Sequence, residues 1–281
     1  MTLSSNGLKW IMLGGAAVII VLLNFVSTVP SAQPKVQIDD HHDHGITLEQ
    51  LVARNKELMA ADLKASVKSL QAELQKTTAI AQKALLYDSL MKILGRNGQY
   101  AFASQLAEQK ATELNGSGTD WMLAGDRYRA SAGFEKDPEA VHVLAEASMR
   151  CYTKALELEP NNLDAKVGLG MVMVAATSDP MKGITLLREV EVADSTHVNV
   201  QLALADFAVQ SQQYDKAIER YSKAIRLKPE YYGIRLNLAE LYQVKGDTAA
   251  AIQQLELYVQ KETDPLVRND VENAIRQLRK K

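Results

Sequence analysis

Cysteine is almost absent: of 281 residues only Cys151 carries a thiol. That excludes a disulfide framework, a CxxC redox pair and a thiolate zinc cluster, and leaves Cys151 the role of a small buried hydrophobe. Phe and Pro are also scarce, at four and seven, and no period-two run of β-branched residues offers a sheet. The chain reads as all-α. A net charge of -2 supplies no basic field that would concentrate a polyanion, so nucleic acid is not an expected partner. Catalytic signatures are missing as well. The sequence has no GxSxG, no GxxxxGK followed by Ser or Thr, no paired Cys/His and no HExxH; "GLG" at Gly168–Gly170 lies in a helical pattern and reads as close packing, not a phosphate loop. His142 and His197 are isolated. Neither an enzyme nor a cofactor is expected.

What the chain does have begins with an apolar run. After a short tail, 1–9, residues 10–29 ("WIMLGGAAVIIVLLNFVSTV") carry no charge, and twenty residues at about 1.5 Å each match a bilayer core of about 30 Å. A transmembrane anchor is preferred over a signal peptide cut after Ala32, because the run exceeds a usual h-region and Pro30 interrupts the small-x-small pattern. The short tail with Lys9 favours the N-terminus inside. The expectation is a single-pass inner-membrane protein with its body in the periplasm; the cleaved alternative is a periplasmic chaperone or assembly factor. Residues 30–46 read as a flexible linker, whose His41, His42 and His44 are candidate metal ligands with nothing to fix a geometry. The preferred reading is a solvated linker that holds no metal.

A capping box, Thr47-x-x-Gln50, opens a long helical segment, 47–83, compatible with one helix or two abutting ones. Its stripe of Leu48, Leu51, Leu58, Leu63, Val67, Leu70 and Leu74, interrupted by Asn55 and Asp62, would also serve a homo-oligomeric coiled coil.

From there the sequence repeats. Gly183, Ala217 and Ala251 are 34 residues apart, as are Leu187, Tyr221 and Leu255. "SMRCYTKALELEP", Ser148–Pro160, and "AIERYSKAIRLKP", Ala217–Pro229, share small, Tyr, Ala and Pro positions at equal spacing. The small residues Gly125, Gly170, Ala205 and Ala239 mark the preceding helices at intervals of 45, 35 and 34, so an eleven-residue insertion falls near 129–143. "WMLAGDRY", Trp121–Tyr128, completes the pattern. These motifs resemble the tetratricopeptide repeat family, of the membrane-anchored bacterial envelope type, over residues 84–265 in about five units, with a capping helix at 266–281.

The resemblance implies a right-handed superhelix of helix-turn-helix repeats. Trp121, Gly125, Tyr128, Tyr152, Ala155, Pro160, Gly170, Ala217, Tyr221, Ala224, Pro229, Ala239, Tyr242 and Ala251 are its repeat-structural residues. Small residues let antiparallel helices cross closely, tyrosines wedge between neighbours, and prolines end a unit. It also implies a concave wall built from the first helix of each pair. Met122 and Asp126, Val167 and Met171, Leu202 and Asp206, Leu236 and Glu240 are each four apart and so share a helix face. This is an apolar strip with three carboxylates, suited to a partner protein or peptide with apolar anchors and basic residues. The Lys and Asn pattern by which some members clamp a C-terminal carboxylate is absent. A membrane-tethered scaffold assisting assembly of envelope complexes is the expected function.

Overall fold

The computed structural model describes residues 46–280. Thirteen helices and no strand occur among them: α1 Leu48–Glu57, α2 Ala61–Lys76, α3 Ile80–Arg96, α4 Tyr100–Glu113, α5 Gly118–Ala132, α6 Pro138–Leu158, α7 Leu163–Ala176, α8 Pro180–Ala193, α9 Val198–Gln210, α10 Tyr214–Leu227, α11 Ile234–Val244, α12 Thr248–Val259 and α13 Pro265–Leu278. They divide into two compact units, one ending at Ser195 and one beginning at Thr196. The division follows the repeat that lacks a closing proline.

The expected inner-membrane localisation is overturned: among the described residues no helix is long and apolar enough to cross a membrane. The longest, α6 with 21 residues, carries Glu139, Glu146, Arg150, Lys154 and Glu157. The apolar run 10–29 and the His41, His42, His44 cluster lie outside the described residues.

In the first unit, α3 with α4, α5 with α6 and α7 with α8 form antiparallel pairs. Local sequence sets their ends. The capping box at Thr47 is made in both directions, Gln50 N to Thr47 Oγ1 at 3.2 Å and Thr47 N to Gln50 Oε1 at 2.8 Å. Ser117 and Asp120 make the same motif at α5, and Asn162 Oδ1 accepts from Ala165 N at 2.9 Å at α7. Each such cap satisfies backbone donors that a helix start leaves open. Gly118 opens α5 because a Cβ there would lie 2.5 Å from Cδ of Glu159. That carboxylate reaches Thr119 N at 3.2 Å and accepts from Asn162 Nδ2 at 2.9 Å. Hydrogen bonds from Asn162 first, then Thr119, hold the Glu159 carboxyl below the usual glutamate range.

The segment before the repeats is two helices, and its stripe is not a free coiled-coil seam. Leu58–Ala60 break α1 from α2, so that Leu51, Val52, Met59, Leu63 and Val67 all turn into one core with Phe102 and Leu144. The insertion explains where α1 goes. Seven of its residues lengthen α6, 21 residues against 14 in α4, and two lengthen the turn, five residues against three. The added turns bury Ala140, Val141 and Leu144 in the same cluster as Leu51 and Val52 of α1, and Arg54 bridges to Asp137 at 3.3 Å. The first pair thus begins at Ile80, not near 84, with α1 packed on α4 and α6.

The second unit contains the pairs α9 with α10 and α11 with α12, closed by α13 against α12. Asp264 caps α13 through Leu266 N at 2.8 Å with Pro265 at its first position. Of the α13 face, Val267, Val271, Ile275 and Leu278 pack on the α11–α12 core, while Leu266 is 77% exposed. Three turns within pairs share one left-handed residue: Gly98 (φ 71°), Gln212 (φ 60°) and Gly246 (φ 78°). A residue with a Cβ is disfavoured there by about 1–2 kcal/mol. No atom lies near a Cβ built on Gly246, so backbone conformation alone decides. Gly246→Ala is expected to cost about 1 kcal/mol and Gln212→Gly to recover a few tenths, read as shifts in the urea midpoint. Equal midpoints for all three proteins would refute the assignment of strain to this turn.

Candidate functional site: the first-helix faces

The first helix of each pair is positioned by a tyrosine or leucine from the second. Tyr152 of α6 is fully buried, with its ring against Gly125 of α5 and Gly168 of α7. A Cβ on Gly125 would meet the ring at 3.0 Å, and one on Gly168 would come within 2.3 Å of Cζ. These two glycines create the slot. Gly170 and Gly183 do the same between α7 and α8, where a Cβ on Gly183 would lie 2.5 Å from the Gly170 carbonyl. Ala155, Ala217, Ala224, Ala239 and Ala251 have no exposed surface, which leaves the backbones of their helices close. Trp121 is half-buried between two clusters, Tyr128 is buried and Tyr242 half-buried. Pro160 and Pro229 each follow the C-cap of a second helix, α6 and α10.

The buried rings bring hydroxyls inside, and the chain answers each with a carboxylate. Tyr152 Oη donates to Asp126 Oδ1 at 2.6 Å, and Arg129 Nε donates to the same hydroxyl at 3.3 Å. Tyr221 Oη donates to Asp206 and accepts from Asn237 Nδ2 at 3.4 Å. Tyr128 Oη donates to Glu108 Oε2 at 2.6 Å, and Arg150 pairs with that carboxylate at 3.3 Å. Burial first, then the adjacent carboxylate, pushes all three phenols far above the usual tyrosine range, so they remain neutral donors. Burial likewise pushes the Cys151 thiol up to about 12, where it is inert at neutral pH.

The pairing follows the repeat. Positions 126, 171, 206 and 240 correspond, as do 152, 187, 221 and 255. Where the second position is Tyr the first is Asp; where it is Leu187 or Leu255, the first is Met171 or Glu240. Glu240 is exposed on α11 and accepts no hydrogen bond from a tyrosine, although its charge acts on the Tyr221 phenol of the preceding pair; partial burial holds its carboxyl above the usual glutamate range. A second pair alternates in the opposite sense: Arg220 Nη1 donates to Gln201 Oε1 at 3.1 Å, and 34 residues on, Arg235 Nη1 donates to Gln254 Oε1 at 3.0 Å.

The eight expected contact residues therefore fall in three places. Val167 and Leu236 are buried, at 3% and 5% exposure, within the packing of their units. Met122, Met171 and Leu202 are half-exposed. Asp126 and Asp206 hold tyrosines, while Glu240 reaches solvent. Periodicity does not give these depths. The Asp/Tyr co-occurrence across repeats was the available signal for the structural role of the carboxylates; Glu108, outside the motif, carried none.

Residues 208–269 match the tetratricopeptide repeat family. The chain carries tetratricopeptide repeats. A tetratricopeptide repeat protein of Parabacteroides merdae shares the fold with a TM-score of 0.53 at 17% identity, covering 83% of this chain and 86% of that one. Also similar are MamA, at 17% identity over 63% of this chain and 91% of that one with a TM-score of 0.42, and YrrB, a repeat protein with an unusual peptide-binding site. YrrB is 15% identical, covering 74% of this chain and 99% of that one, with a TM-score of 0.38. No curated protein matches the sequence.

The tetratricopeptide packing predicts a measurable coupling. Tyr221→Phe and Asp206→Asn are each expected to cost about 1–2 kcal/mol in urea unfolding, and the double variant to cost little more than either alone. Strict additivity would show that the hydroxyl and carboxylate do not depend on one another.

Proposed function

We propose that this tetratricopeptide repeat protein is a non-enzymatic interaction scaffold that holds an apolar and basic peptide segment of a partner on the first-helix faces of its repeats. In the first unit the faces offer Met122 and Asp126 on α5 and Met171 on α7, with Val167 buried on α7. In the second unit it offers Leu202 beside Asp206 on α9, and Glu240 on α11 over buried Leu236. The observation that carries the reading is Glu240. It is a carboxylate on the expected face that tyrosine packing has not consumed, held in a partly desolvated position that disfavours its charge. A lysine or arginine from a partner would relieve that cost, and half-exposed Leu202 supplies apolar area nearby in the same unit.

Reversal of all three carboxylates would also remove the acceptors for Tyr152 and Tyr221, so the informative variant changes Glu240 alone. A labelled peptide of alternating Leu and Lys is expected to bind the full chain with affinity that falls about three- to tenfold on Glu240→Lys at low salt, without loss of thermal stability. The sign of the pH effect follows from the direction of the shift. A carboxyl whose pKa is raised by burial takes up its proton while others remain ionised, so binding should weaken as pH falls into the upper carboxylate range, before Asp-only contacts would be lost. Anisotropy titrations across pH read both effects. Unchanged affinity in the variant would remove the reading.

A further inference from the structure

We infer that the first unit carries a second binding site of opposite preference: a cleft between the α1–α2 turn and α4 that takes an acidic peptide segment bearing one large apolar side chain. The cleft encloses ≈ 310 Å³ and lies entirely within that unit. Its floor is Met59, Val67 and Phe102, exposed by 8%, 3% and 2%, and its rim carries Lys56, Lys64 and Lys68 together with Glu57 and Gln71. Lys56 Nζ sits 4.2 Å from the centroid of the Phe102 ring, a cation–π contact, and Lys64 Nζ donates to the Glu57 carbonyl at 2.8 Å.

Carboxylates neutralise some cations of the unit, whereas these three ammonium groups, like Lys76, Lys92 and Arg96 elsewhere in it, form no such pair, and they are gathered at one cleft. Arg54 pairs with Asp137, Lys83 with Glu113, Lys110 with Asp88 and Arg150 with Glu108. Among the described residues, no carboxylate pairs with Lys56, Lys64 or Lys68. A larger cleft of the same unit, ≈ 510 Å³ around Trp121, shows the contrast: its Arg150 and Lys154 are neutralised by Glu108 and Glu157.

Three ammonium groups against the single Glu57 carboxylate leave the mouth net positive, and an anionic ligand lowers that potential. The apolar floor narrows the choice. A free phosphate would use the lysines and leave the floor unused, whereas a peptide carrying Asp or Glu around a Phe or Leu uses both. The volume lies at the small end of ligand sites, which suits one such side chain. Lys56 is already poised over an aromatic ring, so a carboxylate drawn to it arrives at the edge of the apolar floor.

The experiment uses the full chain and a fluorescein-labelled acidic peptide with a single Phe among Asp and Glu. Its controls are the same peptide with Ser for Phe, and phosphatidylserine vesicles. The Phe peptide should bind, lose about tenfold or more with Lys56→Glu/Lys68→Glu, and weaken several-fold between about 50 and 300 mM salt. The Ser peptide should bind at least about fivefold more weakly. Lys216→Glu/Lys261→Glu, an equal charge change in the second unit, should stay within about twofold of the parent. All the exchanged lysines are exposed, and an unchanged melting temperature confirms that the folds match. Absence of binding, indifference to the Lys56/Lys68 reversal, or equal affinity for both peptides overturns the assignment. So does reversal-sensitive vesicle binding without peptide binding, which would identify a membrane surface. Glu240→Lys should not affect the acidic peptide, which separates this site from the scaffold reading.

Discussion

The contact on which the repeats rest is a large second-helix side chain packed against small residues of the first helices, tightest where Tyr152 meets Gly125 and Gly168. A ring such as Tyr152 is worth about 2–3 kcal/mol of transfer free energy, but only if two helices from successive pairs close over it. Gly125 and Gly168 permit that closure because their missing side chains leave the volume the ring occupies. The hydroxyl then becomes the difficulty, since an unmatched polar group in a core costs about 1–3 kcal/mol. Asp126, Asp206 and Glu108 answer it, each from a neighbouring helix.

That solution has a functional consequence. A carboxylate that holds a phenol is partly used before any partner arrives, so the acidic strip of the first-helix faces is less available than its charge suggests. Glu240 is the exception because Leu255 stands where Tyr152 and Tyr221 stand in other repeats. The carboxylate left to solvent therefore stands where the repeat departs from its own rule. The first unit departs from it too, where the eleven-residue insertion lengthens α6 and gives α1 a surface to bury against; the α1–α2 turn it supports then presents Lys56, Lys64 and Lys68 together.

Much of this order was legible from residue spacing. The 34-residue register, the small residues at helix crossings and the prolines that close units identify the helix pairs, because each acts within one or two adjacent helices. The break between α1 and α2 was not legible, since no Gly or Pro marks Leu58–Ala60 and the apolar stripe continues through it. Its cause is tertiary: Met59, Leu63 and Val67 reach the core with Phe102 only if the chain bends. The depths of Val167 and Leu236 were hidden for a similar reason. A helical face seen in one dimension does not tell which of its residues the next helix covers.

The sequence by itself determined where the helices of the repeat pairs begin and end and which second-helix positions carry a ring or, in its place, a leucine. Capping boxes, prolines and left-handed turn residues act through the local backbone, and a 34-residue period survives any packing detail. Only the tertiary structure decided which charges are structural and which are free. Hydrogen bonds such as Tyr152 to Asp126, 26 residues apart, and the unpaired lysines around Phe102 depend on through-space distances that helix packing alone sets.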